Sequence, residues 1–166
     1  MIIKDSMVVI HLAKITLLEA SCERFKPVAV PEEVHREILQ GEKKGYEDVK
    51  IIEELIAVGK LSVKRLRDRE KKLLKRAAEF NVQGGEGEAL ALYWQEKADF
   101  LASDDDNLRR KSTLLNLRLI GTPAIILTLY QEKRIDRAKL QESLQALRRI
   151  GWFSNAVIDA ILMEAT

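Results

Sequence analysis

Cysteine is nearly absent from this chain. Cys22 stands alone, so no internal disulfide can form. Histidine is almost as scarce: His11 and His35, with one cysteine, supply too few soft ligands for a structural zinc site. Glycine (8) and proline (3) are sparse and form no linker, repeat or low-complexity tract, which predicts one domain over residues 1–166. No apolar run approaches the length needed to cross a bilayer. Asp5 and Lys14 interrupt any signal-peptide pattern at the start. The expectation is a cytoplasmic protein with no membrane partner. A strong net charge is missing too: 28 basic residues face 26 acidic ones, so the molecule as a whole is no polycation.

What remains suits one sizeable core, with 46% of the residues apolar and 33% charged. Short apolar runs predict strands at 1–5, 27–30, 61–65, 99–103 and 117–120. Helical spacing predicts helices at 7–19, 31–40, 44–58, 68–80, 86–97, 105–115, 122–131, 136–150 and 154–164. Val49, Ile52, Leu55 and Ile56 share one helix face, as do Leu140, Leu144 and Leu147. Pro31 and Pro123 fall at first-turn positions. Thr122 is placed to cap the helix behind it, and Asn116 and Gly151 suit left-handed helix ends. Strands alternating with helices predict an α/β fold of three layers, α/β/α, around a central, mainly parallel sheet. Two successive helices over 31–60 predict a helical arm beside that sheet.

The charge that is present is unevenly placed. Lys60 to Arg76 holds nine basic residues against Asp68 and Glu70, a stripe that reads either as a phosphate-tracking surface or as a solvated helix face. The acids carry more. Asp104-Asp105-Asp106 directly follows the apolar run Phe100-Leu101-Ala102-Ser103. Three carboxylates at a strand exit repel one another, and a dication would relieve that repulsion, although Asp also caps helix starts. Asp5 ends Met1-Ile2-Ile3-Lys4 in the same way. Glu37 lies in the helix after Val28-Ala29-Val30, and Gly84-Gly85-Glu86-Gly87-Glu88 opens another. Ligands of open parallel sheets bind at the carboxyl ends of the strands. Asp5 and Asp104 are candidates for that edge, and Glu37 and Glu88 can reach it. Glu86 and Glu88, two apart, point in different directions, so only one should face it.

An ordered set of segments then carries a family resemblance: Ile3-Lys4-Asp5-Ser6-Met7-Val8-Val9-Ile10-His11-Leu12-Ala13-Lys14-Ile15, Val30-Pro31-Glu32-Glu33-Val34-His35-Arg36-Glu37-Ile38, Gly85-Glu86-Gly87-Glu88-Ala89-Leu90-Ala91-Leu92, Ala98-Asp99-Phe100-Leu101-Ala102-Ser103-Asp104-Asp105 and Ile120-Gly121-Thr122-Pro123. The chain resembles PIN-domain proteins of the compact prokaryotic kind related to toxin ribonucleases of toxin–antitoxin modules. Where close relatives have Ser-Pro after the first hydroxyl, this chain has Met7-Val8.

The resemblance implies a ribonuclease that uses Mg2+ or Mn2+, with Asp5, Glu37, Glu88 and Asp104 as its acids. It implies Asp105 as a further metal ligand, with Asp104 or Asp105 left open as the closer one, and Ser6 as a supporting hydroxyl. It also implies RNA as substrate, an antitoxin as a protein partner, and a homodimer as one arrangement. Carboxylate-held metals can activate water and neutralise a leaving oxygen, so no histidine base is needed, and His11 and His35 read as packed or surface side chains. Tyr93 and Trp94 read as core rather than as base-stacking platforms; Trp152-Phe153 reads as a core cover or a partner contact. Two other classes stand beside the nuclease: a non-catalytic nucleic-acid- or antitoxin-binding module of the same fold, and a phosphoacceptor domain. The last ranks low, because such domains have paired acids after the first strand and a late lysine, whereas here Asp5 stands alone and Thr122-Pro123 comes late.

Overall fold

Strand β1 (Ile2–Lys4) lies at the centre of the sheet and decides where everything else goes. It pairs in parallel with β2 (Val28–Pro31) on one side and β4 (Phe100–Ala102) on the other. β3 (Ser62–Lys64) extends β2, and β5 (Leu119–Ile120) extends β4, both in parallel. The order is β3-β2-β1-β4-β5. The computed structural model describes residues 1–42, 47–150 and 153–166.

Side-chain alternation splits the core into two. Ile2, Val28, Val30 and Ala102 face one layer, while Ile3, Ala29 and Leu101 face the other. The first layer holds α1 (Ser6–Lys14), α2 (Leu18–Phe25), α8 (Thr122–Gln131), α9 (Arg137–Ile150) and α10 (Asn155–Glu164). The second is built on α5 (Lys72–Glu79), α6 (Gly84–Glu96) and α7 (Asp106–Lys111). The helical arm is α3 (Glu32–Glu42) and α4 (Asp48–Ala57), whose Val34, Ile38, Val49, Ile52 and Leu55 join the first core. Sheet and layers together are the three-layer α/β/α architecture of the sequence expectation.

Local chemistry explains where boundaries moved. The expected helix 7–19 is two helices, because Thr16 adopts a left-handed φ of 59° and Leu17 N–H closes back on the Leu12 carbonyl. α2, not foreseen separately, buries Leu18, Ser21, Cys22 and Phe25 at helical spacing. The expected helix 68–80 opens with a 3-10 turn, Asp68–Glu70. α7 stops at Lys111, short of residue 115, and Asn116 takes φ 53° just before β5. Gly121, not Thr122, precedes α8 as its cap residue. The start expected at residue 44 and the readings of Gly151 and Trp152 lie outside the described residues.

Candidate metal centre

Three of the parallel strands end at the same edge, and each hands its next residues to a helix start. Asp5 leaves β1 and its N–H donates to the Ala102 carbonyl of β4 at 3.0 Å. Its Oδ1 accepts from Val8 N at 2.9 Å and so caps α1. Asp104 leaves β4, and Gly121-Thr122 leaves β5. Because β1 and β4 are adjacent and in register, Asp5 and Asp104 stand at one edge. Both are buried, at 3% and 4% exposure, an expensive state for carboxylates.

Asp104 sits in a cradle. Its Oδ1 accepts from Thr122 N at 2.7 Å, and its Oδ2 accepts from Thr122 Oγ1 at 2.5 Å. His11 Nδ1 lies 2.8 Å from the same Oδ2, between two fully buried groups. Ser103, also buried, joins two acids: its hydroxyl bonds to Asp5, and its oxygen accepts from Asp105 N at 3.2 Å. Asp105 caps α7 through Oδ2 to Leu108 N at 2.7 Å. Asp106 is exposed and Ser6 is the first, half-buried residue of α1.

The acids repel one another. Burial pushes the Asp5 carboxyl up to about 7, against bonds from Ser103 and Val8, and the charges of Asp104 and Glu86 add to the rise. Glu86 is raised by burial and then by Asp105 and Glu37. Glu37 therefore belongs to the same group. Its carboxylate rests on Gly85 so closely that a Cβ there would stand 2.7 Å from Glu37 Cδ.

Glu88 does not join them. Burial raises its carboxyl first, and the charges that bear on it are Glu33, Arg36 and Glu32 of α3. It lines a separate hollow with Glu33 and Leu74. The physical reason is helix phase: residues two apart on a helix differ by about 200°. Glu86 takes the edge-facing position that the sequence reading assigned to Glu88.

A cavity of about 450 Å³ opens beside Asp104, Asp105 and Asp106, with Arg109, Phe153 and Ser154 on its other walls. A larger one, about 720 Å³, lies at the opposite edge of the sheet beside Cys22, Lys26 and Lys60. Among its described walls Glu23 is the single acid, and Glu23 is already paired with Lys60. Size alone therefore does not locate the chemistry.

Among the described residues no three His, Cys, Asp or Glu side chains are placed to enclose a metal ion. A magnesium-type ion needs no such enclosure, since it keeps several waters and binds through one or two carboxylates. The donor set is all hard oxygen; burial first raises the Asp5 and Glu86 carboxyls, neighbouring carboxylates add to the rise, and a dication would relieve that added repulsion. The residues present thus fit such an ion.

Sequence reasoning missed His11, Ser103 and Thr122, which hold the acids in place. His35 pairs elsewhere, with Glu53 at 2.6 Å. Tyr93 is buried and its hydroxyl accepts from Arg118 N at 3.2 Å, while Arg76 stacks 4.6 Å over Trp94. Among the described residues no helix is long and apolar enough to cross a membrane.

A family model described as a PIN domain matches residues 1–166, the whole chain. The protein belongs to the PIN-domain family, whose fold is that of a nuclease. No match was found among curated proteins or solved structures.

Proposed function

We propose that the protein is a metal-dependent endoribonuclease. The observation that carries the reading is the convergence of Asp5, Asp104, Asp105, Glu86 and Glu37 at the carboxyl edge of the sheet, with two of these carboxyls raised. Asp5 and Asp104 would hold a Mg2+ or Mn2+ ion, and Glu37, Glu86 and Asp105 would complete its surroundings through water. The ion supplies water activation and charge neutralisation on the leaving oxygen.

The chain's own groups do the rest. Thr122 and Ser103 orient Asp104 and Asp5, and burial of both acids keeps their field undiluted by solvent. Arg109 lines the same cavity as Asp104, Asp105 and Asp106 and would offer its guanidinium to a phosphate bound there. Exposed Arg65, Arg67, Arg69, Lys72 and Lys75 offer further backbone contacts. An antitoxin partner and a homodimer remain part of the same proposal, for the role of the toxin in such a pair.

The test is cleavage of a mixed RNA pool by the full chain with Mn2+, Mg2+ or EDTA. Internal cuts that require the metal support the reading. Binding of RNA without cleavage under any metal would replace it with a non-catalytic binding module.

A further inference from the structure

His11 is buried at 1% exposure on α1, ninety-three residues from the carboxylate it touches. Surface packing does not account for that choice. Phe153 closes the ring edge-on, with centroids 5.4 Å apart. An imidazole there costs desolvation that a leucine would not.

What the imidazole does is seen in the lone pairs of Asp104. A carboxylate has about four acceptor sites, two on each oxygen. Thr122 Oγ1 and His11 Nδ1 take both on Oδ2, and Thr122 N takes one on Oδ1. Among the described residues no donor takes the second site on Oδ1. The space beside that oxygen is kept clear by Gly121, where a Cβ would stand 3.1 Å from Oδ1 and 3.6 Å from Arg109 Nη2.

We propose that His11 is a positioning residue for metal binding, fixing the Asp104 carboxylate so that only Oδ1 is presented to the ion. The inference rests on the reading of Asp104 as a metal-holding carboxylate. Without the imidazole bond, Thr122 is the one described residue left to hold the carboxylate, which can then turn, so the ion loses a fixed donor. Partners that orient a metal-holding carboxylate in this way are worth about 10- to 100-fold in metal affinity.

The experiment measures Mn2+ affinity of the full chain directly, by the paramagnetic signal of free Mn2+, in wild type, His11→Leu, His11→Asn and Asp104→Asn. Asn can place its Nδ2 donor near the position of Nδ1; Leu cannot. His11→Leu should weaken binding about 10- to 100-fold, and His11→Asn should restore most of it. A second measurement needs no variant: the His11 ring nitrogen resonances of wild type should shift on Mg2+ titration, with the midpoint of binding.

If Asp104→Asn loses affinity while His11→Leu keeps it, or if Leu and Asn weaken it equally, the positioning role is overturned. Ring resonances unmoved at saturating Mg2+ overturn it as well, including where His11→Leu does not fold. If wild type and Asp104→Asn bind Mn2+ equally, the metal reading of Asp104 has failed instead, and the inference falls with it.

Discussion

Removing the charge of Asp5 should make the metal-free protein more stable, not less. The Asp5 carboxyl moves from 3.8 to about 7 in the fold, chiefly through burial. The folded state therefore holds the proton more tightly than the unfolded chain. The associated stability is fully present below about pH 4 and is lost as pH rises through 7. At about 1.4 kcal/mol per pH unit, the loss at pH 7 has a ceiling of about 4 kcal/mol. Asn carries no charge and still offers an oxygen to Val8 N–H, so Asp5→Asn should regain about 2–4 kcal/mol, or about 4–16 °C in Tm for a chain of this length. The assay is thermal unfolding in EDTA at pH 4 and pH 7, repeated with Mn2+. The gain should vanish at pH 4, where wild type is protonated, and shrink with Mn2+, which stabilises wild type selectively. An Asp5→Asn protein less stable than wild type at pH 7 in EDTA would refute the reasoning and make Asp5 an ordinary stabilising cap.

Other expectations follow from single residues. Gly85→Ala should displace the Glu37 carboxylate, the movable end of a flexible side chain, and leave Tm equal or higher, since Ala favours a helix by about 1 kcal/mol; RNA cleavage should fall about tenfold or more, and unchanged cleavage would remove Glu37 from the site. Glu86→Gln should impair metal-dependent cleavage and Glu88→Gln should not, because only Glu86 feels Asp105 and Glu37; the reverse result would restore the alternative orientation of α6. Changing Arg69, Lys72 and Lys75 to Gln should lower the salt slope of RNA binding by about 0.7 for each phosphate that is no longer neutralised; an unaltered slope in filter binding would leave the stripe a solvated face.

The frame of the site was legible from local sequence. Apolar runs followed by Asp5 and by Asp104 mark strand exits, and a parallel sheet sends such exits to one edge. Glycines 84 and 85 marked a helix start, but not its phase, and two residues of error exchange Glu86 for Glu88. His11 and Thr122 were illegible as partners of Asp104 because those bonds join residues ninety-three and eighteen apart through the closed sheet. Thr122 looked like a helix cap, a role its hydroxyl abandons for the carboxylate. The basic stripe was visible in composition, yet the pairing of Lys60 with Glu19 and Glu23, and of Lys64 with Glu96 at 3.6 Å, depends on helix packing. Tertiary packing, not local propensity, separates its paired cations from its exposed ones.

The most direct measurement compares wild type, Asp5→Asn and His35→Ala in cleavage of a mixed RNA pool with saturating Mn2+. Asp5 feels the charges of Asp104 and Glu86, and His35 is bonded elsewhere, to Glu53. The account predicts Mn2+-dependent cleavage by wild type, near-complete loss in Asp5→Asn with the fold intact, and most of the activity kept in His35→Ala. Near-normal, metal-dependent cleavage by Asp5→Asn would contradict it.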